Sequence, residues 1–275
     1  MTAAEKLLGR ATARTGERVL AWLSLVTLAF TAVMALAVVP PDATQGDVQR
    51  LMYLHVPAAW LAYLSFFVVF VASIAYLITK RIRFDRLAAA SAEVGVLFTA
   101  LTIFLGSLWG KPIWGTWWTW DPRLTTTAIM LLIYVGYLTV RRLSDSPGKR
   151  ARWSAVIGIV GFADIPVVQL SVDWWRSLHQ GPTFRLLGPS TIAPIMATTL
   201  FIAVGAFTIL YAYLVTLRMR VGRLEERAVA EALAPRLGRP VDELLADRRE
   251  PAAVGAAARP RGRVAPRDGE VPPRG

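Results

Sequence analysis

The chain has 275 residues, 55% of them hydrophobic and 18% charged, with mean hydropathy +0.45, which excludes a soluble globule and describes an all-α polytopic membrane protein. Its net charge of +12 would suit nucleic acid, but the cations sit in alternate loops and in the tail, a topology signal, so no nucleic-acid contact is expected. The absence of cysteine excludes a disulfide, a Cys-ligated zinc or iron–sulfur site, and haem attached through Cys-x-x-Cys-His. No Gly-x-x-x-x-Gly-Lys-[Ser/Thr] loop is present, so the chain has no Walker-type ATPase of its own.

A membrane-crossing helix needs about 20 mostly apolar residues. Six stretches qualify: residues 19–39, 56–79, 87–109, 122–140, 153–172 and 191–217. The first ends at Pro40-Pro41-Asp42; its apolar run is longer than a signal-peptide core, so it is read as a retained helix. Pro57 falls near the first turn of the second, where a missing N–H costs nothing. Pro166 and Pro194 should kink the fifth and sixth. Two carboxylates fall inside spans, where such groups are functional candidates. Glu93 is expected to snorkel or to pair with Arg86, whereas Asp164 has no evident partner.

Basic residues set the orientation. Lys6, Arg10, Arg14 and Arg18, then Lys80, Arg81, Arg83 and Arg86, then Arg141, Arg142, Lys149, Arg150 and Arg152 share one side with the Arg-rich tail. The other side holds only Arg50, Lys111, Arg123, Arg176 and Arg185. The positive-inside rule makes both termini cytoplasmic and turns the second side to the periplasm. Three regions follow: a cytoplasmic segment 1–18, a six-helix membrane domain 19–217 with a Trp-rich outer loop at 109–123, and a basic cytoplasmic tail 218–275. Residues 218–247 suit short charged helices. From 248 onward large apolar residues are nearly absent, and disorder is expected, as a solvated tail or as a contact with anionic lipid.

The outer side carries the unusual chemistry. Residues 114–125 read Trp-Gly-Thr-Trp-Trp-Thr-Trp-Asp-Pro-Arg-Leu-Thr. Trp114, Trp117, Trp118 and Trp120 either form an aromatic belt at headgroup depth or make a shelf for a large, flat, apolar ligand. Their spacing suits a short interfacial helix. Asp121 before Pro122 reads as an N-cap starting the fourth helix, which would fix the shelf to that helix. The chain's two histidines are on this side too, His55 in loop 40–56 and His179 in loop 173–190. Zinc wants three or four N, S or O ligands, and carboxylates are few here. Haem wants one or two axial ligands, aromatic contact on its faces and cations at its propionates. Arg123 and Arg185 flank the Trp loop and His179 and are the first choices for a propionate.

These segments carry a resemblance. Residues 114–125, with His-Val-Pro-Ala-Ala-Trp at 55–60 and Trp-Trp-Arg-Ser-Leu-His-Gln-Gly-Pro-Thr at 174–183, resemble the WWD-motif haem-handling proteins of cytochrome c-type biogenesis. The six spans and two histidines are most similar to the branch called cytochrome c maturation protein C (CcmC, haem exporter protein C), over roughly residues 18–220. The resemblance implies a protein of the bacterial inner membrane that holds haem b at the outer face, with His55 and His179 as axial ligands. It implies contact of the WWD loop with haem and with the periplasmic haem chaperone CcmE. It implies two further partners, the small membrane protein CcmD and the ABC transporter CcmA/CcmB. The expected role is holding and delivery, not catalysis. The alternatives are a subunit that moves haem through its own helices, a haem b redox subunit, and a structural subunit whose Trp loop meets only protein.

Overall fold

The computed structural model describes residues 3–144, 146–179, 181 and 192–249. Helices account for nearly all of them. α1 (Ala3–Val33) runs into a wider π turn (Met34–Val38). A 3-10 turn (Asp47–Leu51) feeds α2 (Met52–Thr79), and α3 spans Ile82–Trp114. α4 is Pro122–Leu143. α5 (Pro147–Phe162) and α6 (Asp164–Trp174) are two halves of one span. α7 is Pro194–Leu237, and α8 (Val241–Arg249) packs against it. Six of these spans are long and apolar enough to cross a membrane.

α2 is central. It packs along α3 and also meets α5 and α7, while α1 lies on α7. One apolar cluster joins Leu61 of α2, Phe98 and Leu105 of α3, and Phe207 and Tyr211 of α7. Another joins Phe66 and Val69 to Met130, Tyr134 and Tyr137 of α4. Phe66 stacks on Tyr134 with ring centroids 3.5 Å apart. The α2–α3 contact depends on Gly95, where a Cβ would stand 2.5 Å from Phe66 Cε1. Large apolar side chains on the outside, such as Phe104 and Leu132, are 64% and 70% exposed. Within a bilayer these face lipid, and helices alone satisfy the backbone there.

Both prolines expected to kink a span act, in different ways. Pro166 removes the N–H that would bond the Phe162 carbonyl, and the fifth span breaks there, at Ala163. α6 then packs on α4, while α5 packs on both α2 and α4. Pro194 does not kink the sixth span; it begins it, in the first helical turn, where proline fits. Pro57 lies in the second turn of α2, past the first, because Met52–Val56 are already helical. The sixth helix also does not stop at Leu217 but continues unbroken to Leu237.

Ion pairs gather at the bundle end away from the histidines. Glu93 does not pair with Arg86: its partner is Arg218 of α7, and Arg86 binds Glu226 at 2.5 Å. These pairings join residues far apart in sequence, so local spacing could not reveal them. Arg141 of α4 grips Asp85 of α3 through two hydrogen bonds, 2.5 and 2.9 Å, and Asp85 is buried. Asp164 keeps a buried Oδ2 with no hydrogen-bond partner. Removing one member of a buried pair leaves the other charge uncompensated. Asp85→Ala is therefore expected to lower stability by about 3–5 kcal/mol. Unfolding in detergent, followed by tryptophan fluorescence, measures this; a change below about 1 kcal/mol would show that the pair is solvated.

Candidate functional site

At the other end of the bundle three loops meet. α1 is closed there by Arg50, whose guanidinium donates to the carbonyls of Ala35 and of Val39, the latter at 3.1 Å. A cation at a helix C-terminus satisfies orphan carbonyls and complements the helix dipole. Gln45 accepts from the Trp109 indole at 2.9 Å, tying the 40–46 loop to α3. Gly115, at φ +77°, ends α3, and Lys111 donates to its carbonyl at 2.9 Å. Residues 116–121 are irregular, so the short interfacial helix expected over the tryptophans does not form. The left-handed turn at Gly115 redirects the chain where that helix would have run.

Asp121 organises this region. It is the N-cap of α4, as the Asp-Pro-Arg order suggested: Oδ1 accepts from the Arg123 N–H at 2.9 Å. The same Oδ1 lies 3.2 Å from His179 Nδ1. Oδ2 accepts from the Ser177 hydroxyl at 2.8 Å and from the Leu178 N–H at 2.7 Å. The buried carboxylate thus ties the start of α4 to the segment after α6. Burial raises its pKa, but the hydrogen bonds from Leu178, Ser177 and Arg123 and the nearby His179 outweigh this, and the net shift is downward. Asp121 is therefore an anion at neutral pH.

His179 answers to that anion. Burial pushes its pKa down, Asp121 only partly offsets this, and the net direction is below the usual histidine value. The imidazole is neutral at pH 7. The carboxylate assigns the proton to Nδ1, which donates to Asp121, and leaves the Nε2 lone pair free. This is the arrangement by which outer carboxylates orient metal-binding histidines. The Trp114 ring meets His179 edge-on at 4.9 Å.

His55 does not lie in a loop. It is in the first turn of α2, which already begins at Met52. Its ring rests on α3 at Gly106, where a Cβ would stand 3.0 Å from His55 Cε1. Trp109 meets it edge-on at 5.8 Å. His55 Nδ1 is buried, and the imidazole has the Thr102 backbone of α3 within reach.

Both histidines line one cavity of about 620 Å³, with Trp109, Trp114, Arg123 and Gln169. Cofactor sites span about 300–1,000 Å³. A second cavity of about 330 Å³ shares His55, Gly106, Arg123, Gln169 and His179 and runs along α2 to Tyr63. Arg123 donates to the Gln169 carbonyl at 3.2 Å, and its Nε is buried without a partner. The cavity walls therefore hold an unsatisfied nitrogen on Arg123. Among the described residues no group of three or more His, Cys, Asp and Glu could hold a metal ion. Two imidazoles in an aromatic cleft suit a metal that brings its own equatorial ligands.

Of the residues singled out from sequence, the structure brings together His55, His179, Trp114, Asp121 and Arg123. Trp117, Trp118 and Trp120 do not line either cavity. Trp117 and Trp120 are 56% and 81% exposed, and Trp118 meets Trp120 edge-on at 5.7 Å. Arg185 lies outside the described residues. Sequence reading passed over Trp109, Gly106 and Gln169. The last carries a signal in hindsight: it is a lone amide in the apolar run that forms α6.

The chain matches known proteins over most of its length. A family model described as heme exporter protein C (CcmC) matches residues 3–234. Heme exporter protein C of Bradyrhizobium diazoefficiens is 36% identical over 224 residues, covering 80% of this chain and 85% of the relative. The protein of the same name from Escherichia coli strain K12 is 35% identical over 201 residues, covering 73% and 81%. A putative cytochrome c biosynthesis ccmC-like mitochondrial protein of Marchantia polymorpha is 36% identical over 183 residues, covering 64% and 78%. The chain belongs to the heme exporter protein C family.

Proposed function

We propose that this chain binds haem b at the outer face of a bacterial inner membrane and delivers it to the periplasmic chaperone CcmE during cytochrome c maturation. One observation carries the reading: two histidines from separate parts of the chain line a single cleft, and a buried carboxylate holds one of them by Nδ1. In this role the haem is cargo. His55 and His179 supply the axial nitrogens, Trp109 and Trp114 line its cleft, and Arg123 offers donors to a propionate. Bis-histidine ligation closes both axial positions, which suits holding rather than oxygen chemistry. Trp117 and Trp120 remain exposed in the same loop and are the side chains offered to CcmE. The periplasmic orientation is supported by the scarcity of cations on this side. CcmD and the ABC transporter CcmA/CcmB are the further partners, and a chain without a P-loop fits an ATPase located elsewhere.

The residue roles lead to measurable outcomes. His55→Ala and His179→Ala are each expected to lose most retained haem, or to block covalent transfer to co-expressed CcmE; unchanged haem and transfer in both variants would remove the ligand assignment. Asp121→Ala leaves both imidazoles but frees the second, so haem affinity should fall about 10–100-fold. Titration of haem into the purified apoprotein reads this directly, and a wild-type affinity would deny Asp121 its orienting role.

Acid should release the cargo late. The His179 pKa is lowered on folding, so protonation competes with ligation only below the ordinary value of about 6.5. Haem occupancy is expected to stay flat from pH 8 through 6.5 and to fall below it. A midpoint at or above pH 6.5 would contradict the buried, neutral imidazole.

A further inference from the structure

At the bundle end opposite the histidines, a cavity of about 360 Å³ is lined by residues of α3, α4, α5 and α7. Five arginines face it: Arg86, Arg141, Arg142, Arg150 and Arg218. Four carboxylates face them, and each has an arginine. Asp85 holds Arg141 at 2.5 Å, Glu226 holds Arg86 at 2.5 Å, and Glu93 and Glu225 share Arg218, the latter at 3.3 Å. Among the described residues Arg142 and Arg150 are left over. Five cations against four anions leave one positive charge in the described lining.

Arg150 is the informative residue. Its Nε is buried with no hydrogen-bond partner among the described residues, and a buried donor left unpaired is costly. It sits in the first turns of α5, a 16-residue helix with no acidic residue in its first turn. A cation there opposes the helix dipole, whereas an anion is favoured. Asp145, in the adjoining loop, lies outside the described residues. An unsatisfied arginine donor, a surplus positive charge and an uncompensated helix N-terminus all call for one external anion. The surroundings indicate its source. Leu143, beside Arg142, is 76% exposed, and Trp153, one turn beyond Arg150, is 60% exposed. An exposed indole and leucine at the end of a spanning bundle mark the depth of lipid headgroups.

We propose that this cavity binds the phosphodiester headgroup of an anionic membrane lipid, with Arg142 and Arg150 as its donors. Guanidinium and phosphate match as a two-hydrogen-bond pair, and one phosphodiester carries the single charge that the lining leaves uncompensated. A lipid seated there would join α4, α5 and α7 at the level of their ion pairs.

The test uses the full-length protein in a neutral detergent, titrated with phosphatidylglycerol, phosphatidylcholine or inorganic phosphate, with the thermal unfolding midpoint as readout. Phosphatidylglycerol should raise the midpoint, and the other two should not. Arg142→Gln/Arg150→Gln should lose that response, while Arg81→Gln/Arg83→Gln, outside the cavity, should keep it. If the double variant does not fold, Arg142→Gln alone carries the test, with phosphatidylglycerol binding by native mass spectrometry expected to weaken about tenfold. Three results would overturn the proposal: equal shifts with phosphatidylcholine, a full shift with inorganic phosphate alone, or a cavity variant that responds like the wild type.

Discussion

A single carboxylate sets the geometry on which the site depends. Asp121 takes hydrogen bonds from the Arg123 N–H, the Ser177 hydroxyl and the Leu178 N–H, and lies within 3.2 Å of His179 Nδ1. A charged N-cap in a buried position already stabilises the start of α4. Here the same two oxygens also fasten a segment some 57 residues further along the chain. These bonds hold the 175–179 segment against α4. Helix start and His179 orientation are one interaction, so any change at Asp121 acts on both.

The opposite wall is built differently. His55 is held by close packing, in the first turn of its helix and against a glycine that leaves room for its ring. The break at Ala163 completes the cleft. The missing N–H of Pro166 ends α5, and α6 packs on α4, which brings Gln169 and the segment leading to His179 over the end of the bundle. The fifth span is thus a structural half and a site-forming half. The two ends of the molecule also differ in kind: aromatic rings and few cations at one, arginine–carboxylate pairs at the other.

Much of this was legible in the amino-acid order. Six spans followed from hydropathy because lipid demands long apolar runs, and the described residues form six such spans. Asp-Pro-Arg named its own cap. What escaped was anything decided between distant segments. Helix ends were misjudged where helices outrun the apolar core: α3 continues to Trp114, and α7 to Leu237, the latter held partly by ion pairs that hydropathy does not weigh. His55 read as a loop residue because Pro57 resembles a helix start, whereas the turn at Asp47–Leu51 starts α2 earlier. The Trp loop read as a helix because its spacing is periodic, and one left-handed glycine overrides that. The partner of Glu93 is 125 residues away and has no local signature.

The central claim is that both histidines bind the same iron. Electron paramagnetic resonance of the ferric haem complex, purified in mild detergent, tests it most directly. The wild type should give a low-spin signal typical of two axial imidazoles, and any haem left in His55→Ala or His179→Ala should be high-spin. A low-spin signal that survives unchanged in either single variant would contradict the claim and leave that histidine outside the coordination sphere.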